Sequence, residues 1–309
     1  MSKDIEDKLN KIPIINILVT VLKKVKLPGL EGMSLYDLLE MYIVGIINGT
    51  LTARAGAIAF SFFMAIFPSL LFFLNLLPYV PIENFQANFI NTITSFLPDE
   101  SATFLNEIIV DIVKNKRGGL LSSTFFLSIF LMANGVVAIF SGFENSYYIH
   151  KKRSFFKQYI YALSVGLLLA LLLILTIALL GYLEIYIPYL SNASAEAEST
   201  SIGVTIIQYI VLVGMIYVAV AILYYFGTLR GKVARFFSVG ALLTTVLIIL
   251  TSYLFGIYIA NFSQYNELYG SIGALLILML YIWLNANILL LGFELNASID
   301  MLRTQNETP

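Results

Sequence analysis

Residues 51–80 read LTARAGAIAFSFFMAIFPSLLFFLNLLPYV, and this stretch decides the fold class of the chain. The part after Arg54 is uncharged, and it is longer than the roughly 20 apolar residues that a helix needs to cross a bilayer. Pro68 lies near its middle, where a proline removes one backbone hydrogen bond and costs about 3 kcal/mol in a soluble helix. Membrane helices tolerate proline where neighbouring groups satisfy the freed carbonyl, so the stretch predicts a kinked transmembrane helix.

The composition of the whole chain agrees with a lipid environment. Apolar residues make up 59% of the 309 residues and charged residues 12%, against about 45–50% and roughly 25% in soluble domains. The net charge of −1 offers no basic surface for nucleic acid. The absence of cysteine excludes disulfides and thiolate chemistry.

Six long uncharged runs predict an all-α, polytopic membrane protein with six transmembrane helices. They are residues 55–82, 118–143, 158–183, 199–229, 236–266 and 268–293. Lys and Arg are concentrated before the first run, between alternate pairs of runs and in the tail, which places the N- and C-termini in the cytoplasm. Only Lys114, Lys116 and Arg117 lie on the other side. We expect no cleavable signal peptide.

The predicted organisation has three parts, and two segments outside the spans are amphipathic. Residues 1–54 form a cytoplasmic amphipathic segment, 55–298 the six-helix domain, and 299–309 a short cytoplasmic tail. Residues 84–113 are too polar to span, but their apolar residues recur at helical spacing. They predict either interfacial helices on the outer face or a small extracytoplasmic cap, and the sequence favours neither.

Three charged residues lie at the predicted cytoplasmic ends of spans. Arg54 begins the first, Glu144 ends the second and Glu294 ends the sixth. A buried charge needs a partner, so we hypothesise an ion pair between Arg54 and one of the two glutamates. Pro68, with Ser61 or Ser69 supplying a hydroxyl to the freed carbonyl, forms either a gate or a purely structural kink.

Other candidates are small or polar residues within the spans. Ala55, Gly56 and Ala59 form a face suited to close helix contact, as does the YGSIG sequence, with Tyr269, Gly270 and Gly273. Four asparagines lie within the spans: Asn75, Asn134, Asn285 and Asn287. We expect their amides to form hydrogen bonds between helices rather than to bind a ligand, and one of Asn285 and Asn287 to contact a neighbouring helix. No catalytic, cofactor-binding or metal motif is found, and His150 stands alone, so we expect no enzyme and no cofactor.

Both ends of the chain carry a family pattern. The run AIAFSFFMAIFPSL resembles the signature of the YihY/BrkB family of bacterial membrane proteins, formerly labelled ribonuclease BN. The last span resembles the closing motif of that family, with matching residues Tyr269, Gly270, Ser271, Gly273, Gly292, Glu294 and Asn296. Tyr281 and Trp283 stand in reversed order, and Phe293 replaces a usual alanine, which predicts altered packing there.

The resemblance implies a multi-pass protein of the bacterial cytoplasmic (inner) membrane. Family members are often assumed to be transporters, and some are linked to virulence or to lipid and envelope phenotypes. We expect a transporter or flippase-like factor for a lipid or small amphiphile; the alternative is a non-transporting scaffold or envelope-assembly factor. The expected partners are membrane lipids, with protein partners or a homo-oligomer as further possibilities, and no nucleic acid. A ribonuclease would need metal ligands and a basic groove, which the sequence lacks.

The predicted topology can be tested by single-cysteine labelling, because the chain has no cysteine of its own. In intact cells, a membrane-impermeant maleimide should label Lys116→Cys and leave Lys152→Cys unmodified, since the two positions lie on opposite sides. Lysed cells, where both cysteines should react, provide the control. Labelling of Lys152→Cys in intact cells would reverse the topology.

Overall fold

The computed structural model of the chain describes residues 34, 36, 50–79, 115–145, 153–191, 197–227, 236–261 and 271–307. The predicted amphipathic segment at 84–113 lies outside the described residues, as does most of the N-terminal segment. His150, Tyr269 and Gly270 also lie outside them.

Six long α-helices make up almost all of the described chain. Their bounds are α1 (Thr50–Leu76), α2 (Gly118–Glu144), α3 (Phe155–Ser191), α4 (Ala197–Gly227), α5 (Val239–Asn261) and α6 (Ser271–Glu307), and a 3-10 turn, Leu77–Tyr79, follows α1. Each helix contains an apolar stretch of at least 21 residues, which is long enough to cross a membrane. The six predicted spans are therefore confirmed.

The surface of α3 shows why the solvent must be lipid. Large aliphatic side chains are exposed around most of its circumference, including Leu171, Leu173, Ile174, Leu175 and Ile177. Soluble monomers rarely expose contiguous apolar patches beyond a few hundred Å². A helix of this kind is stable only where its surroundings are as apolar as its side chains.

The chain forms two compact units, one of residues 60–135 and one of residues 1–59 with 136–309. In the smaller unit, the second half of α1 runs antiparallel to the first half of α2. Two contacts set their register: the rings of Phe72 and Phe125 lie 5.3 Å apart, and Gly118 lies beside the hydroxyl of Tyr79.

Pro68 is buried in this smaller unit, and α1 remains helical through it. The carbonyl that loses its amide donor to a proline is that of the residue four positions earlier, Met64. The hydroxyl of Ser69 donates instead to the carbonyl of Ala65, at 2.7 Å. The prediction that Ser69 serves the freed carbonyl is therefore wrong by one position.

The predicted small-residue face of α1 is confirmed in part. Ala55 and Ala59 are completely buried, as expected for a close helix contact. An added Cβ at Gly56 would meet nothing within 4 Å. Gly56 therefore lies off the contact, and the face consists of the two alanines.

In the larger unit, α5 and α6 approach each other closely at two glycines. A Cβ added at Gly240 would collide with the carbonyl oxygen of Gly292. A Cβ added at Gly292 would collide with Oγ1 of Thr244 and lie 2.6 Å from the hydroxyl of Tyr224 and 2.7 Å from the carbonyl oxygen of Gly240. Only glycine allows this backbone contact, which is the means by which membrane helices pack without a hydrophobic driving force.

We predict that Gly292→Ala lowers the melting temperature of the detergent-solubilised protein. Overpacking of this kind typically costs about 1–3 kcal/mol, and here backbone and two hydroxyls must move. Gly56→Ala is the matched control, because its methyl enters open space and alanine favours the helix. Equal melting temperatures for the two variants would contradict the close contact.

Candidate functional site

Arg54 belongs to a cluster of charged residues in the larger unit, of which the two glutamates are buried. It lies in the second turn of α1, and its Nη2 donates to Oε1 of Glu294 on α6 at 2.8 Å. Its Nη1 donates to the carbonyl oxygen of Gly142 at 2.8 Å. That carbonyl is among the last four of α2, which have no partner within their own helix. One guanidinium thus joins α1, α2 and α6, and the predicted ion pair is confirmed with Glu294 as the partner.

Both glutamates of the cluster are almost fully buried. Glu144 is 4% exposed and Glu294 5% exposed. Glu294 lies inside the sixth span, Leu275–Asp300, and α6 continues beyond it, so the prediction that Glu294 ends this span is wrong. The helix extends further because Leu295 and Ile299, which follow Glu294 at helical spacing, are buried in the core.

Glu144 closes α2 and is surrounded by donors from the start of α3. Its Oε1 accepts from the backbone N–H of Arg153, and its Oε2 accepts from Nε2 of Gln158, both at 3.4 Å. A carboxylate at a helix C-terminus is opposed by the helix dipole. The nearby cation and amide donors offset that repulsion, which explains how the charge can be buried there.

Arg153, which precedes α3, is the second arginine of the cluster. Its Nη2 donates to the carbonyl oxygen of Phe226, near the end of α4, at 2.8 Å. Its guanidinium lies 4.8 Å from the ring centroid of Tyr161 and 5.6 Å from that of Phe140. Burial lowers the pKa of Arg153 from its ordinary value, and the Glu144 carboxylate works in the opposite direction. Each arginine therefore binds a free carbonyl at a helix C-terminus, where a cation is favourable.

A layer of buried aromatic rings packs next to the charges. Phe143 and Phe293 stack with their centroids 4.0 Å apart and their planes 10° from parallel. Tyr224 packs edge-on against both rings. The stack joins α2 to α6, and a shorter side chain at 293 would leave Phe143 without it; that the packing differs from other family members stays a prediction.

The hydroxyl of Tyr224 joins three helices. It donates to the carbonyl oxygen of Leu289 on α6 at 2.7 Å, and Oγ1 of Thr244 on α5 lies 2.6 Å away. Because the phenol has a single proton, Thr244 is the donor in the second bond. All these groups are buried, so the junction is a fully satisfied polar network of the kind that rigidifies a core.

Asn296 on α6 caps the start of α5. Its Oδ1 accepts from the backbone N–H of Gly240 at 2.8 Å, and its Nδ2 donates to Oγ of Ser238 at 2.9 Å. Ser238 Oγ also accepts from the N–H of Ala241, which is the usual N-cap bond. An amide in a family motif thus satisfies the free donors of a neighbouring helix.

The predicted site residues fall into three groups. Arg54, Glu144 and Glu294 belong to one cluster. Ser61, Pro68 and Asn134 lie in the smaller unit, where Pro68 is buried and the other two are half-buried, and Gly273 is buried near the start of α6. The amides of Asn285 and Asn287 both donate to a carbonyl of their own helix, four residues earlier, so neither makes the predicted interhelical bond within the described chain.

Sequence reasoning missed Arg153, Gln158 and Tyr224. In the sequence, Arg153 is one of several basic residues between two spans, and such residues indicate topology first. The signal that could have found it is its position directly before a helix whose neighbour ends in a glutamate. Gln158 and Tyr224 carry no signal in a single sequence.

Comparison with known proteins identifies the family. The profile of the family described as "Virulence factor BrkB" matches residues 45–309. The chain belongs to the BrkB family. Its membership covers all six spans, including both motifs on which the resemblance rested.

One relative of the chain is named as ribonuclease-like, and others are named only as membrane proteins. The ribonuclease-like protein YfkH of Bacillus subtilis (strain 168) is 26% identical over 253 residues, which cover 79% of this chain and 88% of that protein. A UPF0761 membrane protein of Alteromonas mediterranea is 32% identical over 122 residues, 39% of this chain and 42% of that protein. One of Xanthomonas oryzae pv. oryzae (strain PXO99A) is 41% identical over 68 residues, 22% of this chain and 16% of that protein. No solved structure matches the chain. These findings support a multi-pass bacterial membrane protein of the BrkB family.

We predict that the Arg54–Glu294 pair stabilises the fold only as a pair. Arg54→Met or Glu294→Gln alone leaves one buried charge without its partner, a loss that typically costs about 3–5 kcal/mol. The double variant removes both charges, so its loss of stability should be smaller than the sum of the two single losses. Lys157→Met, at an exposed position, is the control and should melt like the unchanged protein. Additive losses in the double variant would contradict the coupling.

Proposed function

We propose that this membrane protein is a transporter or flippase-like factor for a lipid or small amphiphile. The observation that carries the proposal is the cluster of two buried glutamates, Glu144 and Glu294, with two half-buried arginines, Arg54 and Arg153. Ionisable groups within spanning helices are expensive, and by default they indicate a pathway or a coupling site.

The energetics of the cluster favour a moving part over a static support. Replacing a buried ion pair by well-packed apolar residues is often neutral or stabilising by about 1–4 kcal/mol. Stability alone therefore gives little reason to retain the Arg54–Glu294 pair and the buried Glu144 in a lipid-facing bundle. A pair that must open and close, in contrast, needs partners that water or a polar headgroup can replace.

The cluster could act as a latch, meaning a set of contacts that holds several helices together and can be released. Its hydrogen bonds join α1, α2, α4, α6 and the residue before α3. Each bond has a side chain at one end at least, so it can break without unfolding a helix. Breaking the Arg54 contacts would release α1 from both α2 and α6 at that level. We propose that this release opens the cytoplasmic end to a polar headgroup.

Reconstitution into liposomes tests the proposal. With fluorescent phospholipids in both leaflets, a membrane-impermeant reductant should bleach inner-leaflet lipid faster in protein-containing vesicles than in empty ones. The double variant Arg54→Met with Glu294→Gln should move lipid faster still, because removing the latch shifts the population toward the open state.

The control in this assay is Lys157→Met, which should move lipid at the unchanged rate. Rates equal to those of empty vesicles would overturn the transport proposal. In that case the alternative, a non-transporting scaffold that binds partner proteins through its cytoplasmic basic loops, gains support if a single stoichiometric partner co-purifies.

A further inference from the structure

Asn75 presents a buried hydrogen-bond acceptor at the end of α1 opposite Arg54. The residue is 2% exposed, and its Nδ2 donates to the carbonyl oxygen of Leu71 at 2.7 Å. Its Oδ1 is buried and accepts no hydrogen bond from the described part of the chain. An unsatisfied buried acceptor costs about 1–3 kcal/mol. The Oδ1 atom can therefore accept a hydrogen bond from a donor that these residues do not supply.

A cation and an aromatic ring lie at the same end of the smaller unit. Tyr79 ends the 3-10 turn that directly follows α1, so it lies about one helical turn beyond Asn75, and its ring is exposed. The ammonium of Lys116, on an exposed side chain, lies 5.4 Å from the centroid of the Tyr79 ring. Gly118 next to the Tyr79 hydroxyl adds no side chain to the space around them.

The position of Asn75 along α1 matches the headgroup region of a bilayer. From Arg54 to Asn75 the helix rises about 32 Å at 1.5 Å per residue. The hydrocarbon core is about 30 Å thick, so when Arg54 lies at one boundary, Asn75 lies at the other. Lys116 is also one of the three basic residues that the sequence predicts for the side opposite most of the Lys and Arg.

We infer that Asn75, Tyr79 and Lys116 form a binding site for the head of a phospholipid that carries an N–H or O–H donor. Lys116 binds the phosphate, and Asn75 Oδ1 accepts the hydrogen bond from the ammonium or hydroxyl group. The inference rests on the proposed function and names its substrate class. Ethanolamine and glycerol headgroups supply such donors, whereas a choline headgroup has none.

A series of headgroups tests the site on the unchanged protein. Phosphatidylethanolamine, its N-methyl and N,N-dimethyl forms, and phosphatidylcholine share one phosphate and lose N–H donors stepwise. Native mass spectrometry of the detergent-solubilised protein should show about tenfold weaker binding of the choline lipid than of the ethanolamine lipid, as expected for one lost hydrogen bond. Phosphatidylglycerol tests whether a hydroxyl serves equally well. Equal affinities across the series would overturn the inference.

Variants assign the preference to its residues. Asn75→Leu should abolish the difference between ethanolamine and choline lipids, and Asn75→Asp should keep it. Lys116→Gln should weaken the binding of all these lipids by the same factor and leave the ratio of their affinities unchanged. Asn287→Leu is the control, because Asn287 is another buried amide, on α6, and its loss should preserve the preference. A preference that survives Asn75→Leu would contradict the assignment.

The binding experiment and the transport experiment fail separately. Headgroup preference without lipid movement in vesicles would remove the transport proposal and leave the site in place. Lipid movement without headgroup preference would keep the transport proposal and remove the site.

Discussion

Charge in a lipid-facing bundle must be paired within the protein, and the larger unit is arranged around that constraint. Arg54 forms an ion pair with Glu294 and binds a carbonyl of α2, so one side chain determines where three helices meet. The guanidinium of Arg153 binds the carbonyl of Phe226 near the end of α4, and its backbone N–H donates to Glu144. Since lipid offers no competing hydrogen bonds, each of these contacts weighs more than its counterpart on a soluble surface.

The remaining packing places the helices so that these charges can meet. Gly240 and Gly292 bring α5 and α6 into backbone contact, and Asn296 fixes the start of α5 across that contact. The stack of Phe143 on Phe293 sets α2 against α6 one position before each glutamate. The stack therefore brings Glu144 and Glu294 to one level, where Arg54 binds Glu294, and the backbone N–H of Arg153 and the amide of Gln158 bind Glu144.

The sequence allowed the six spans to be predicted, because long uncharged runs have few stable alternatives to a membrane helix. It also allowed the pairing of Arg54, because a buried charge requires a partner, but not the choice between Glu144 and Glu294, since sequence separation carries no distance. Arg153 was missed because basic residues near a membrane are informative about topology first. The stacking partner of Phe293 depends on how two distant helices rotate, which no local pattern records.

The account depends most on the contact between Arg54 and Glu294 in a bilayer. Solid-state NMR on the protein in lipid, with ¹⁵N in the arginine guanidinium groups and ¹³C in the glutamate carboxylates, measures it directly, and Glu294→Gln identifies the signal. A hydrogen-bonded pair predicts a nitrogen-to-carbon distance of about 4 Å for this signal. A distance beyond about 6 Å, too long for an ion pair, would contradict the central role given to this contact.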